Sequence, residues 1–231
     1  MAHFRTMTGA DFSHVRAWIF DLDNTLYPAH CDLFALIDER MTDYVSRLLD
    51  VDRVEARRLQ KEHYRTHGTT LNGLMKVHGI APDEFLSYVH DIDLSALAPD
   101  ASLAAALERL PGRRYVFTNG SREHAARVLA RLDLAHLFEE VWDIRTFGFQ
   151  PKPHAHAYRT AQARKGAGAA AMFDDIARNL VEAHALGWTT VWLNNGSEWS
   201  RQGPEAPIAE PHHIHYETGD LARFLQSVRL T

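Results

Sequence analysis

Two aspartates follow the first strongly apolar stretch of the chain and are the first residues that could do chemistry. Asp21 and Asp23 are separated by one residue and come directly after the apolar run 17–20. Such a run is typical of a strand buried in a parallel sheet, and open α/β sheets bind ligands beyond the carboxyl ends of their strands. Because two carboxylates this close repel each other, a bound cation is their natural partner. The alternative is a strand followed by a helix cap, with Asp23 or Asn24 as the cap.

Three later stretches also place polar side chains after a predicted strand or in the loop that follows it. They supply a hydroxyl and an amide, an ammonium group between two prolines, and a second pair of carboxylates: Thr118, Asn119, Lys152, Asp174 and Asp175. Taken singly, each has an ordinary interpretation as a strand end, an exposed loop lysine or a helix cap. Because the carboxyl ends of parallel strands share one edge of a sheet, we expect all of them to converge with Asp21 and Asp23.

The chemistry that this set of groups supports is phosphoryl transfer through a covalent aspartyl-phosphate. A carboxylate that attacks a phosphate dianion faces a repulsion of about 4 kcal/mol per charge pair at ~4 Å and an effective dielectric of ~20. A Mg²⁺ ion would cancel most of that repulsion, and it prefers hard oxygen ligands. Asp21 can offer one oxygen to the metal and the other to phosphorus. Asp175 can reach the same ion, and Asp174 can hold its waters.

The remaining groups suit supporting roles in the same reaction. Asp23 can protonate the leaving alkoxide and then deprotonate the attacking water. Thr118 can donate a hydrogen bond to a phosphoryl oxygen, and Asn119 is a candidate donor on the same side. Lys152 can neutralise the phosphoryl charge and pair with Asp21.

The elements that must position these groups alternate along the chain between apolar runs and amphipathic stretches. Runs of strand length occupy 17–20, 115–120, 140–144, 169–173 and 189–193, and a short sixth run occupies 212–216. Strands that alternate with helices predict an α/β fold, here a doubly wound, Rossmann-like parallel sheet with right-handed crossovers.

A long insertion without a predicted strand follows the first run. Its first helix carries apolar residues at three- and four-residue steps: Leu33, Phe34, Ile37, Met41, Tyr44, Val45 and Leu48. A second, Arg-rich helix over 52–66 is expected to present a solvated face and to end at Gly68. A third helix is expected to begin at Thr69 or Thr70, and a fourth at Pro82.

This organisation divides the chain into a core and a cap. The insertion 29–97 is predicted to be a small helical-bundle cap, and residues 1–28 and 98–231 the Rossmann-like catalytic core. Four polar residues in or near the cap are candidates for substrate contacts: Tyr27, His63, Thr69 and Thr70.

Composition argues against several other classes of function. The 231 residues are 45% hydrophobic and 24% charged, and a formal net charge of −5 gives no reason to expect a nucleic-acid partner. The single cysteine fits a reducing compartment, and the first residues lack the apolar segment of a signal peptide. No apolar run approaches the ~20 residues of a membrane span. We therefore expect a cytoplasmic protein that acts on a small molecule, without a membrane or a nucleic acid as partner.

The four polar stretches, taken together, resemble the motifs of the haloacid dehalogenase superfamily of phosphatases. The segment Asp21-Leu-Asp-Asn-Thr25 looks like its first motif, Thr118 its second, Lys152 its third, and Asp174-Asp175 its fourth, in the family's order over residues 15–197. The resemblance implies a sheet ordered 5-4-1-2-3 with a helical cap inserted after the first strand. It also implies that Asp21 is the nucleophile, and that Asp23 is the acid–base and lends its backbone carbonyl to Mg²⁺.

Within the superfamily the chain is most similar to the pyrimidine 5′-nucleotidases of the cap-bearing branch. The stretches that carry this likeness are 20–28, 36–41 and the Gly-Thr-Thr-Leu-Asn-Gly-Leu-Met segment 68–75. The implied activity is Mg²⁺-dependent hydrolysis of a pyrimidine nucleoside 5′-monophosphate.

Other activities remain open on the same residues. A sugar-phosphate phosphatase or a phosphomutase would differ only in the cap. Dehalogenation fits less well because it does not need the acid–base carboxylate Asp23. Phospho-accepting receiver domains combine similar groups, but they are much shorter and carry the acceptor on a later strand.

Overall fold

Within residues 9–194 and 212–231, the part of the chain that the computed structural model describes, six strands form one parallel sheet. They are β1 (Val15–Phe20), β2 (Arg113–Phe117), β3 (Glu140–Trp142), β4 (Ala169–Asp174), β5 (Thr189–Leu193) and β6 (Tyr216–Thr218). Their order is β3-β2-β1-β4-β5-β6. This confirms the doubly wound α/β prediction and the implied order of the first five strands. The short sixth strand lies beside β5 and a few residues later than predicted.

Strand β1 lies at the centre of the sheet because it is apolar on both faces. Phe20, its last residue, pairs with Val116 of β2 on one side and with Phe173 of β4 on the other. The next residue, Asp21, continues this register, since its backbone N–H donates to the Phe173 carbonyl over 2.9 Å. The carboxyl ends of three neighbouring strands therefore lie side by side.

Four helices without an intervening strand fill the insertion after β1. They are α1 (Leu33–Leu49), α2 (Arg53–His67), α3 (Thr70–His78) and α4 (Pro82–His90). Local signals set most of their ends. The Asp52 carboxylate caps α2, Gly68 ends it in a left-handed conformation, and the Thr69 hydroxyl caps α3. Pro82 occupies the first turn of α4, where its missing N–H leaves no helical bond unmade.

Helices α1 to α4 pack on one another as the predicted bundle. Gly73 of α3 has no Cβ, and a Cβ there would lie 2.4 Å from the Cβ of His63 on α2. A glycine is thus required for α2 and α3 to approach this closely. The division of the chain into a cap and a core remains a prediction.

The Arg-rich face of α2 is exposed, as expected, since the side chains of Arg53 and Arg58 are each 56% exposed. One stripe of the helix packs against α1. Arg57, Gln60 and Lys61 of α2 all donate hydrogen bonds to Asp38 of α1, whose side chain is 6% exposed. Regular spacing of apolar residues could not reveal this contact, because Asp38 is a charged residue on the buried face of α1.

Five further helices lie in the described part of the chain after the bundle: α5 (Ala101–Glu108), α6 (Arg122–Arg131), α7 (Ala155–Arg164), α8 (Leu180–Ala185) and α9 (Leu221–Ser227). Apolar residues of α5, α6 and α9 pack with one face of the sheet, which includes Trp18, Phe20 and Phe173. Apolar residues of α7 and α8 pack with the other face, which includes Ile19 and Phe117. Covering both faces explains why the central strands carry buried apolar residues on both faces. Among the described helices, none has the length and hydropathy needed to cross a bilayer.

Candidate active site

The carboxyl edge of the sheet brings the predicted polar residues into one place. Asp21 and Asp23 follow β1, Thr118 and Asn119 follow β2, and Asp174 and Asp175 lie at the end of β4, while Lys152 comes from the loop after β3. All of these except Asp174 line one cavity of about 160 Å³ between the sheet edge and the bundle. Asp174 is fully buried behind it.

Lys152 joins two of the carboxylates. Its Nζ donates to Asp21 Oδ1 and to Asp174 Oδ2, each over 2.7 Å, and the lysine is 2% exposed. Burial alone would lower the pKa of this lysine, but the carboxylates of Asp174 and Asp21 outweigh it and raise the pKa above its ordinary value. The ammonium group therefore stays charged, and its position depends on both carboxylates.

The three acidic side chains Asp21, Asp174 and Asp175 can each offer one oxygen to a common point, since those atoms lie within 4.8 Å of one another. The pKa of Asp21 is raised to about 7 by burial and by repulsion from Asp174 and Asp23. The charge of Lys152 partly offsets this rise. Burial and the charges of Asp21 and Asp174 raise the pKa of Asp175 well above its ordinary range. One lysine does not neutralise this cluster, and its hard oxygen donors fit a divalent cation such as Mg²⁺.

The two aspartates at the end of β4 have different surroundings. Asp174 Oδ1 accepts from the backbone N–H of Ile176 and from Asn179 Nδ2, each over 2.9 Å, and its Oδ2 accepts from Lys152. Among the described residues, none donates a hydrogen bond to the carboxylate of Asp175. Asp175 is therefore the better candidate for a direct metal ligand, and Asp174 for a group that holds the lysine and the loop.

Asp23 lies beside this cluster, and one of its carboxylate oxygens accepts two hydrogen bonds from other side chains. Its Oδ1 accepts from Tyr27 Oη over 2.7 Å and from His124 Nε2 over 2.9 Å. Burial raises the pKa of Asp23, but His124 and the two hydrogen bonds outweigh it, so the pKa lies below its ordinary value. Tyr27, a candidate substrate contact in the sequence, thus binds Asp23. His124 is not among the site residues predicted from the sequence. Its place in the helix that follows Thr118 is a signal that it could lie near the carboxyl edge of the sheet.

Thr118 and Asn119 have different hydrogen-bond partners. The Thr118 hydroxyl oxygen accepts from the backbone N–H of Gly120 over 2.9 Å, which leaves its own proton for another acceptor. The Asn119 side chain binds the backbone of Lys152 twice, accepting from its N–H over 2.7 Å and donating to its carbonyl over 3.1 Å. A contact of Asn119 with phosphate stays a prediction; the contacts seen here position Lys152.

The bundle covers the open side of the cavity. Thr69 and Thr70 line it, and the adjoining Gly68 packs near the loop that carries Lys152, where a Cβ on this glycine would lie 3.5 Å from His154 Nε2. His63 does not line the cavity; its ring packs against Gly73. Apolar side chains form about half of the wall on the bundle side: Phe34, Ile37, Met41, Leu71, Phe85, Leu86 and Val89. Polar side chains line the same wall, among them Asp38, Gln60, Lys61, Tyr64 and His90.

Relatives of known sequence and structure share this fold. The chain is 28% identical over 192 residues to phosphate metabolism protein 8 of Saccharomyces cerevisiae, a match that covers 74% of this chain and 59% of the yeast protein. The HAD-hydrolase YfnB from Bacillus subtilis, solved with bound magnesium, matches 92% of this chain and 98% of its own at 14% identity and a TM-score of 0.57.

Two further solved structures show that the fold serves more than one reaction. A HAD phosphatase from Thermococcus onnurineus has a TM-score of 0.56 at 20% identity, over 88% of this chain and 93% of its own. The L-2-haloacid dehalogenase of Xanthobacter autotrophicus has a TM-score of 0.53 at 16% identity, over 92% and 98%. The model of the family described as haloacid dehalogenase-like hydrolase matches residues 15–187, and the chain therefore belongs to the haloacid dehalogenase-like hydrolases.

Proposed function

We propose that this hydrolase cleaves small-molecule phosphomonoesters through an aspartyl-phosphate on Asp21, and that its substrate is a pyrimidine nucleoside 5′-monophosphate. The observation that carries the proposal is the arrangement of three groups. The Lys152 ammonium binds Asp21 at 2.7 Å, and Asp23 lies two residues further on with one oxygen bound by His124 and Tyr27. A nucleophile held beside a cation, with a separate acid–base nearby, is what a two-step phosphoryl transfer needs.

In the first step, an Asp21 carboxylate oxygen attacks phosphorus and the bond from phosphorus to the ester oxygen breaks. Asp23 gives a proton to the departing oxygen, so the product leaves as an alcohol. In the second step, Asp23 takes a proton from a water that attacks the phosphorus of the aspartyl-phosphate. The bond from phosphorus to Asp21 breaks, inorganic phosphate is released, and the carboxylate of Asp21 is restored.

The other polar groups at the edge stabilise charge during both steps. Lys152 and the Thr118 hydroxyl can each bind a phosphoryl oxygen, since both line the cavity beside Asp21. Asp21, Asp175 and the Asp23 carbonyl would hold a Mg²⁺ ion, with Asp174 behind them. When bound, the ion would supply positive charge that offsets repulsion between the carboxylates and the phosphate.

The mixed lining of the bundle side supports a nucleotide as substrate. A pyrimidine base presents flat, largely apolar faces that can pack against Phe34, Ile37 and Phe85, and its polar edge can bind groups such as Gln60 and Lys61, which line the same wall. We propose that residues 29–97 act as a cap that closes over the substrate and excludes water.

Phosphate release from a panel of monoesters, with Mg²⁺ or with EDTA, tests the proposal. The panel contains uridine, cytidine and adenosine 5′-monophosphates, several sugar phosphates and 4-nitrophenyl phosphate. We expect Mg²⁺-dependent turnover that is fastest on the two pyrimidine nucleotides. Faster turnover of a sugar phosphate would remove the nucleotide assignment and keep the phosphatase, and absence of turnover on every ester would contradict both.

A further inference from the structure

Asp23 is held by two side chains that the phosphatase chemistry above does not itself require. Both hydrogen bonds, from Tyr27 Oη and from His124 Nε2, end on the same oxygen, Oδ1. A carboxylate oxygen that accepts two donors has little capacity left for a third partner. The other oxygen, Oδ2, is therefore the one that remains for the substrate.

The His124 ring is fixed more firmly than this contact alone requires. Its side chain is fully buried, and its ring stacks on that of His90 with centroids 4.4 Å apart and an interplanar angle of 14°. Ser121 holds both histidines: its hydroxyl accepts from the His124 backbone N–H over 3.2 Å and lies 3.1 Å from His90 Nδ1. A ring restrained in this way keeps Nε2 aimed at Asp23.

The hydrogen-bond pattern also assigns the tautomer of this ring. Within the described residues, His124 Nδ1 is buried and has no hydrogen-bond partner. A buried N–H without an acceptor is costly, so the ring proton belongs on Nε2, where Asp23 accepts it. His124 therefore acts as a donor toward Asp23.

We infer that His124, assisted by Tyr27, is a positioning residue that occupies Oδ1 of Asp23 so that Oδ2 faces the leaving oxygen of the substrate. The inference rests on the proposed phosphatase function. It explains why a histidine from α6 and a tyrosine from the turn after β1 meet on one atom. The competing explanation is that His124 is only a buried packing residue.

The two explanations predict different responses to the leaving group. An alkoxide is a poor leaving group and needs the proton from Asp23, whereas 4-nitrophenolate leaves readily without one. The quantity to compare is kcat/KM, because it depends only on the steps up to release of the alcohol or phenol. The substrates are uridine 5′-monophosphate, or the best alkyl ester of the panel, and 4-nitrophenyl phosphate.

For His124→Leu we expect kcat/KM to fall ~10- to 100-fold on the alkyl ester, a large part of what a general acid contributes, and by less than about 3-fold on 4-nitrophenyl phosphate. His124→Gln can place an amide N–H where Nε2 lies, so it should restore most of the activity on the alkyl ester. His136→Leu, which replaces an exposed histidine that does not line the cavity, is the control for the same change of residue type and should behave as the wild type on both esters.

Tyr27→Phe keeps the ring and removes only the second donor, so it decides the question if His124→Leu does not fold. We expect a smaller loss that is again confined to the alkyl ester. Equal losses on both esters in these variants, or none, would overturn the inference and leave the phosphatase proposal intact. A wild-type protein that cleaves neither ester would overturn both.

Discussion

Two buried acidic clusters, one at the sheet edge and one inside the helical bundle, differ in how their charge is balanced. In the bundle, Asp38 accepts hydrogen bonds from Arg57 over 2.9 Å, Gln60 over 2.6 Å and Lys61 over 2.7 Å. One carboxylate there meets two cationic side chains and an amide. At the sheet edge, the buried Asp21, Asp174 and Asp175 lie close together, and among the described residues the ammonium of Lys152 binds the first two.

The difference indicates which cluster needs a cation. A buried carboxylate with enough donors is stable as it is, so the Asp38 contacts join α1 and α2 without a metal ion, although Asp38, Gln60 and Lys61 also line the candidate cavity. Burial and mutual repulsion raise the pKa of Asp21 and of Asp175. We therefore expect the sheet edge, and not the bundle, to gain stability when a cation binds.

The largest expected effect that would sharpen the contrast between the two clusters is on phosphatase activity. We expect Asp21→Asn to lower kcat at least ~10³-fold, as loss of a nucleophile does, because an amide cannot form the aspartyl-phosphate. Phosphate release and circular dichroism would be measured together. Asp143→Asn, a change at another buried aspartate next to β3 and outside the cavity, is the control and should keep most of its activity. Substantial turnover by Asp21→Asn would remove Asp21 as the nucleophile.

The second prediction concerns the metal. At a Mg²⁺ concentration 100 times Kd, the free energy of unfolding should rise by about 2.7 kcal/mol relative to EDTA. Asp175→Asn should abolish this rise and should itself be more stable than the wild type in EDTA, because one repelling charge is gone. Thermal and chemical unfolding measure both. A Mg²⁺ response that survives in Asp175→Asn would exclude Asp175 as a ligand.

The third prediction addresses the bundle. Asp38→Ala should lower the free energy of unfolding by about 2 kcal/mol, because Gln60 loses its buried acceptor while the partly exposed Arg57 and Lys61 can turn to solvent. Its Mg²⁺ response should match that of the wild type. Chemical denaturation with and without Mg²⁺ makes the measurement, and an altered metal response would show that the two clusters are coupled.

The smallest expected effect, counted per pH unit, is a dependence of stability on pH without divalent cations. The pKa of Asp21 rises from 3.8 in the unfolded chain to about 7 in the folded one. Between these values the folded state binds more protons, so stability from this group is lost as pH rises from about 4 to 7 and is constant above that.

The slope from this group is at most about 1.4 kcal/mol per pH unit. Unfolding of the wild type and of Asp21→Asn in EDTA, compared at each pH, measures this dependence together with the change that the variant causes in the pKa of Asp175, which the Asp21 charge raises. The difference in unfolding free energy should move in favour of the variant as pH rises. A difference that stays constant between pH 4 and 7 would contradict the assignment.

Much of the fold could be predicted because its signals are local. Gly68, Thr69, Gly79 and Pro82 end or begin helices through their own backbone geometry or hydrogen bonding, and the structure places helix boundaries there. Strand positions followed from apolar runs, although the third strand ends at Trp142 rather than at 144.

Other features depend on partners that are distant in sequence. The Asn119 side chain binds the backbone of Lys152, 33 residues away, a contact that no local pattern specifies. Its predicted contact with phosphate stays a prediction. His63 was a candidate substrate contact, but it packs against Gly73 because α2 and α3 approach closely. No periodicity in either helix specifies that contact.

The sequence by itself determined the order of strands and helices and the set of polar groups at the sheet edge. Both follow from local patterns, namely apolar runs that end in charged residues and the shared edge of parallel strands. Only the tertiary structure decided which donor meets which carboxylate. His124 reaches Asp23 across 101 residues, and Lys61 reaches Asp38 across 23. Such contacts depend on how helices pack on the sheet and on one another, and a hydrogen bond tolerates only a few tenths of an ångström of misplacement.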